Sequence, residues 1–292
     1  VYKLYMLYNT AMDVGLIEYL RGSSREENGL RVVPQAALRE AARRGGVSPL
    51  EAEIACLEAG MVPARYQRNV GTLGVQGQLR LLRSCVGVCG LGGLGGLVVE
   101  LLARYGVGRL ILVDGDVFEE NNLNRQLLCR ESDLGRSKAE RAGERVREVN
   151  SSLQVLALQI TVTPENVIRV FSGAEVVVDA LDNVPSRLAL EEGCSRLGIP
   201  MVHGAVAGHA GQVMTVYPGD PGVSELYRGA GDRGIELLEG NPPPTPALVA
   251  ALQAQETVKV LCGGETLRQG FLFLDTSTNV FQFIPLEEGG AR

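Results

Sequence analysis

Four short clusters in this chain carry residue types suited to phosphate chemistry. Asp114-Gly-Asp116 closes an apolar run, and Asn121-Asn-Leu-Asn-Arg-Gln126 follows it. Gly135-Arg-Ser-Lys138 comes next, and Ala180-Leu-Asp-Asn-Val-Pro-Ser-Arg187 closes a second apolar run. Arg125 and Lys138 can neutralise a polyphosphate and the charge that develops on it during transfer. Asp182 can hold Mg²⁺, a hard cation that takes oxygen ligands and pairs with substrate phosphates. Ahead of them lies Val86-Gly-Val-Cys-Gly-Leu-Gly-Gly-Leu-Gly-Gly96, with Gly90, Gly92 and Gly95 in the G-x-G-x-x-G register and Gly93 between them. Such a turn brings backbone close to phosphates and aims a helix N-terminus at them. Asp114 lies about where a ribose hydroxyl is held. The turn lacks G-K-[ST], which argues against a Walker-type ATPase. A plain nicotinamide dehydrogenase would need little beyond the glycines and Asp114, so it stays open as the weaker alternative.

These residues need a scaffold, and the pattern around them predicts one. Strands are expected at Cys85–Cys89, Leu110–Val113, Gln154–Ile160, Glu175–Ala180 and Pro200–His203. Helices are expected at about Leu94–Tyr105, Ser137–Val149, Glu165–Phe171 and Pro185–Leu197. Alternation of this kind predicts a doubly wound, Rossmann-like, mostly parallel α/β sheet, with ligands at the carboxyl ends of its strands. All four clusters fall there. Further on, Gln212–Tyr217 reads as a strand and 218–246, rich in Gly and Pro, as a mobile crossover loop. Ala247–Leu261 reads as a helix, and Phe271–Leu274 with Val280–Ile284 as an antiparallel C-terminal hairpin.

The N-terminal residues 1–62 read as a small helical appendage to a domain spanning 63–292. Thr10-Ala-Met-Asp13 resembles a capping signal, and Arg21–Gly29 reads as a polar loop. Pro34–Arg44 is helix-like, and Ser48-Pro-Leu-Glu51 opens another helix with a capping box. Gly74–Arg83 is a further helix candidate. The appendage carries no chemical motif, so packing or dimerisation is its expected role.

Composition limits the function classes. A net charge of −6 makes general nucleic-acid binding a poor reading. No run reaches the roughly 18 apolar residues of a membrane span, and no secretory signal is evident. The six cysteines form no C-x-x-C pair, and free thiols suit a cytoplasmic chain. His203 and His209 have no Cys or His partner at ligand spacing and read as non-catalytic.

Six stretches in order, Arg65-Tyr-Gln-Arg68, Gly90-Leu-Gly-Gly-Leu-Gly95, Leu112-Val-Asp-Gly-Asp116, Asn122-Leu-Asn-Arg-Gln126, Gly135-Arg-Ser-Lys138 and Asp182-Asn183, resemble the MoeB/ThiF/HesA family, relatives of the ubiquitin-activating enzymes. The resemblance implies adenylation. The C-terminal Gly-Gly carboxylate of a small ubiquitin-fold sulfur-carrier protein would attack the α-phosphorus of ATP, and pyrophosphate would leave. It implies that Asp114 holds the ribose and that Asn122, Arg125 and Lys138 contact phosphates. The glycine turn, Asp116, Gln126 and Asn183 would complete the nucleotide site, and Asp182 would bind Mg²⁺. Arg68 would reach into the partner subunit of a homodimer. Taken singly, Arg125 and Lys138 could be ordinary surface charges, Asp116 a loop cap and Asp182 a helix N-cap; Arg136 and Arg187 read as solvated or structural.

The chain departs from the family in two places. Many relatives bind zinc through two C-x-x-C pairs, but here the first region reads Ser224-Glu-Leu-Tyr227 and no cysteine follows Cys262, so no zinc is expected. Many also carry a crossover cysteine, but none lies between His203 and Leu261. Adenylation without a covalent thiol step is the expectation, and a non-catalytic carrier-binding member is a further alternative. Gly289-Gly290 near the end imitates a carrier tail, but no ubiquitin-like domain precedes it, and it reads as a solvated tail.

Overall fold

The computed structural model describes residues 15–228 and 239–286. The capping signal at Thr10–Asp13, ten residues of the crossover loop and Gly289-Gly290 lie outside them.

The chain opens with helix α1 (residues 15–23), hairpin strands β1 (Arg25–Glu27) and β2 (Leu30–Val33), and helices α2 (Gln35–Gly45) and α3 (Pro49–Glu58). Strand β3 (Val62–Pro63) pairs parallel with β2, giving a three-stranded sheet in the order β1-β2-β3. This corrects the purely helical reading. Arg21–Gly29 is not a loop: Asn28 and Gly29 both take positive φ, and that turn folds β1 onto β2. The polar outer face of β1 hid the strand. Helix α3 starts as its sequence dictates. Ser48 Oγ accepts from Glu51 N and Glu51 returns the bond to Ser48 N, a box worth about 1 kcal/mol.

Helix α4 (Gln67–Arg83) is longer than expected and is kinked at Gly74. The sheet then builds as predicted: β4 (Cys85–Cys89), α5 (Gly95–Tyr105), β5 (Arg109–Val113), α6 (Lys138–Val149), β6 (Gln154–Leu158), α7 (Val167–Phe171), β7 (Val176–Asp179) and α8 (Val184–Leu197). Strand β8 (Met201–Ala207) runs four residues past the expected end and turns at Gly208-His209 into antiparallel β9 (Ala210–Val216). In the crossover region stands the short helix α9 (Val223–Leu226), and the last helix, α10 (Pro244–Cys262), begins inside the stretch expected to be loop. Strands β10 (Gly270–Asp275) and β11 (Val280–Pro285) close the sheet, whose order is β11-β10-β9-β8-β7-β4-β5-β6.

Strand alternation divides the core into two layers. Val86, Val88, Leu110, Leu112, Val176 and Val178 face a cluster that includes Val98 and Leu102 of α5 and Val249 and Val258 of α10. Cys85, Cys89, Ile111, Val113 and Val177 face Phe171 of α7 and Leu190 and Cys194 of α8. Helices therefore cover both faces, and the apolar runs of β4 and β7 are buried throughout. The N-terminal unit has its own small cluster around Leu20, Val33, Leu38 and Cys56.

Candidate functional site

From β4 the chain proceeds outward to β5 and β6, then returns to β7 on the other side of β4. That reversal is the switch point at which open α/β sheets bind ligands. A cavity of about 600 Å³ opens there, between the carboxyl ends of β4, β5 and β7. Two glycines shape its floor. Gly90 takes φ 87°, and a Cβ on it would lie 2.5 Å from the Ala180 carbonyl oxygen. A Cβ on Gly95 would lie 1.8 Å from the Gly90 carbonyl oxygen. The turn therefore folds tightly between two strand ends, which only glycine permits. Gly92 and Gly93 line the cavity itself and leave their backbone open to a ligand.

Charged side chains enter from three loops. Asp114, at the end of β5, accepts from Leu91 N at 2.7 Å and from Asp116 N at 2.8 Å, which ties the glycine turn to the second strand. Burial pushes its carboxyl above the ordinary range, against the Lys138 charge and those two N–H groups. A carboxylate offers about four lone-pair sites, so acceptor capacity remains for a sugar hydroxyl. Lys138 opens α6, is 8 % exposed, and reaches Asp116 Oδ2 at 2.9 Å. The Asp116 side chain is 71 % exposed. A pair open to water on one side is weak, so an incoming polyphosphate can displace Asp116 at little cost.

Arg125 spends Nη1 on Asn121 O at 2.9 Å and on Asn124 Oδ1 at 2.8 Å. Among the described residues it has no carboxylate partner, and its remaining N–H groups can serve an anion. Gln126 is buried beside it, and its Oε1 has no hydrogen-bond partner among the described residues. Asn241 Oδ1, across the cavity, is likewise buried and unpartnered. Orphaned polar atoms of this kind mark a place that a ligand completes. An open glycine cradle, a spare guanidinium, a lysine and two waiting carboxamides fit a nucleoside polyphosphate. For Mg²⁺ the donor chemistry also fits: Asp182 is exposed at the rim, its one recorded partner is the neighbouring Asn183 amide at 3.3 Å, and a carboxylate plus phosphate oxygens is the usual set.

The structure does not bring every expected residue to the cavity. Asn122 is buried, but its side chain closes its own loop, accepting from Glu119 N and donating to Asn121 Oδ1. It shapes the loop that presents Arg125 and is not among the cavity walls. Gly95 acts through packing alone. Arg68 stands exposed in the first turn of α4, outside the cavity, with no ion pair among the described residues. Asn183, not Asp182, is the N-cap of α8, accepting from Ser186 N at 3.0 Å.

Several functional positions escaped sequence reasoning. Ile160, Thr161 and Val162, just beyond β6, line the half-apolar end of the cavity. Their place at a strand's carboxyl end was the available signal. Arg187, read as solvated or structural, is buried and structural. Its Nε and Nη2 both donate to Leu181 O, at 3.2 and 2.6 Å, and its Nη1 donates to Tyr227 Oη at 2.7 Å. Beneath it, buried His203 meets Asp179 Oδ2 through Nδ1 at 2.7 Å, and its Nε2 lies 3.2 Å from Gln212 Nε2. Burial holds the imidazole below its usual pKa in spite of the neighbouring Asp179 carboxylate. Its Nδ1 thus faces a carboxylate and its Nε2 an amide. Among the described residues no cluster of three metal-ligating side chains occurs.

The fold is of the doubly wound α/β class, and its switch-point cavity is lined by a lysine and two arginines. The ThiF family profile matches residues 66–290, and the chain belongs to that family. It is 39% identical over 227 residues to the SAMP-activating enzyme E1 of Haloferax volcanii, which covers 76% of this chain and 84% of that one. It is 38% identical over 235 residues to the adenylyltransferase and sulfurtransferase MOCS3-1 of Zea mays, covering 74% of this chain. The chain spans about half the length of this relative, 48%. Among solved structures, E. coli MccB with ATP superposes with a TM-score of 0.66 at 22% identity, over 87% of this chain and 79% of that one. PaaA superposes with a TM-score of 0.65 at 20% identity, over 76% and 72%.

Proposed function

We propose that this protein adenylates the C-terminal Gly-Gly carboxylate of a small ubiquitin-fold sulfur-carrier protein, consuming ATP and releasing pyrophosphate. The observation that carries the reading is the convergence of Arg125, Lys138 and the open Gly92-Gly93 backbone on one cavity, in a ThiF-family chain. The relatives named SAMP-activating enzyme and MOCS3 adenylyltransferase support the same chemistry.

The adenosine would lie toward Ile160–Val162 with its ribose on Asp114, and the phosphates over Gly92 and Gly93. A carboxylate oxygen of the carrier bonds to the α-phosphorus while the bond to the bridging oxygen of pyrophosphate breaks. Lys138 and Arg125 stabilise the negative charge that moves onto the leaving group, and the rigid turn holds the reacting atoms in line. Gln126, with its unspent oxygen, orients the Arg125 side of the site. Asp182 would hold Mg²⁺, which supplies further charge neutralisation at the phosphates. In a homodimer, the unpaired Arg68 would complete the neighbouring copy's site.

Burial raises the thiol pKa of all six cysteines, which disfavours a thiolate nucleophile and supports a reaction without a thiol step. We therefore read the reaction as ending at the acyl-adenylate, with sulfur arriving from a separate donor and no zinc required. The carrier's pathway could be molybdenum or tungsten cofactor, thiamine or another thiolation route, in the cytoplasm. No helix among the described residues is long and apolar enough to cross a membrane. Pyrophosphate exchange into ATP, dependent on a Gly-Gly carrier, tests the reading; its absence with carriers encoded beside this chain would count against it.

A further inference from the structure

The loop that carries Asp182 is gripped from below by side chains that have no place in the reaction itself. Asp179 Oδ1 accepts from Leu181 N at 3.0 Å, and Arg187 puts two donors on Leu181 O. Both backbone polar groups of Leu181, the residue before Asp182, are thus fixed by buried charged groups. The Arg187 side chain is 6 % exposed and has its counter-charge, Asp179, at 4.0 Å. It borders the cavity, but its Nε, Nη1 and Nη2 each donate a bond to Leu181 or Tyr227, and those bonds hold the loop in place.

The grip reaches into the crossover region. Tyr227 lies immediately after α9, and its hydroxyl accepts from Arg187 Nη1 and from Gln212 Nε2, at 2.7 and 2.8 Å. Gln212, on β9, also sits against His203 on β8, whose ring meets that of Tyr227 edge-on with centroids 5.9 Å apart. Removal of the Tyr227 hydroxyl leaves a buried guanidinium one acceptor short, which disturbs its hold on Leu181.

We infer that Arg187 and Tyr227 are positioning residues for the Asp182 carboxylate, and that through them the placement of the crossover segment sets how well the site uses a divalent cation. The inference rests on the ATP–Mg²⁺ reading given above. Outer partners of this type typically alter metal affinity by ~10-fold or more when removed. A merely structural role would instead lower thermal stability and weaken nucleotide binding with and without metal alike.

The test is calorimetric titration of the intact chain with a non-hydrolysable ATP analogue, in EDTA and across a Mg²⁺ series. Tyr227→Phe and Arg187→Lys are compared with wild type, and melting temperature is recorded for each. The expected result is analogue affinity in EDTA within about twofold of wild type. Half-saturating Mg²⁺ should rise ~10-fold in Arg187→Lys, with a smaller rise in Tyr227→Phe. Unchanged Mg²⁺ dependence in both variants, or an equal loss of affinity with and without Mg²⁺, overturns the inference and leaves the functional reading intact. Wild type that binds no analogue, or gains nothing from Mg²⁺, overturns both.

Discussion

At the scale of single residues, the site is built from groups whose bonding is incomplete without a ligand. Arg125 has donors to spare, and Gln126 Oε1 and Asn241 Oδ1 have no partners among the described residues. Among the described residues, the one ion pair of Lys138 is with an aspartate that faces water. Lys138 is expected to act on the transition state more than on the bound nucleotide. Lys138→Ala should therefore lower kcat for pyrophosphate exchange by ~10²–10³-fold, with the nucleotide Kd changed far less. Equal losses in both would move Lys138 from catalysis to ground-state binding. Gly95→Ala is expected to be more damaging than its size suggests. The added Cβ would collide with the Gly90 carbonyl oxygen, so the turn must open. Equilibrium nucleotide binding should fall sharply while the melting temperature shifts modestly, and wild-type affinity in this variant would refute the packing argument.

At the scale of elements, the sequence made most of the central sheet readable and concealed the rest for physical reasons. Strands β4 and β7 are apolar from end to end because both faces are covered, and the glycines that follow β4 can be read only as a turn. Helices α3 and α6 announce themselves by Ser48 and Ser137. The hairpin of β1 and β2 was missed because its first strand, Arg-Glu-Glu, lies largely in water and has no apolar face to reveal it. Asn122 was placed at the phosphates by family resemblance, yet its carboxamide is consumed by its own loop, a local bond that spacing cannot report. Arg187 could be read only as solvated or structural, because nothing in its neighbourhood of sequence names Tyr227, forty residues on. The join between α3 and the main sheet is also a long-range matter. Glu53 accepts from Ser152 Oγ at 2.7 Å and from Tyr66 Oη at 3.0 Å, and Asn150 Nδ2 donates to that same hydroxyl at 2.8 Å. Burial raises the Glu53 pKa above its ordinary value in spite of these bonds. The folded state then binds this proton more tightly than the unfolded chain. Its contribution to stability is fully present below the unfolded pKa and is lost as pH rises through the raised one. Glu53→Gln should flatten the fall in melting temperature as pH rises from about 4.5, and an unchanged slope would show that Glu53 titrates normally.

At the scale of the whole molecule, one cavity lies at the switch point of one sheet, and the N-terminal unit joins the rest through α3, which packs on α4 and bonds Ser152 just before β6. On the homodimer reading proposed above, a complete site needs Arg68 from a second copy. If so, Arg68→Ala and Lys138→Ala chains, each inactive alone, should complement when mixed. Half of a random mixture is mixed dimer, and each mixed dimer has one intact site, so about a quarter of wild-type exchange should return. No recovery after verified subunit exchange would confine Arg68 to its own chain. The most direct measurement for the account as a whole is the fate of labelled pyrophosphate incubated with this chain, ATP, Mg²⁺ and a Gly-Gly carrier. The account predicts label entering ATP only when the carrier's C-terminal carboxylate is free, since that requires reversible cleavage between the α- and β-phosphates. Conversion of ATP to ADP and phosphate with no exchange, or tight binding of a nicotinamide dinucleotide in place of ATP, would contradict it.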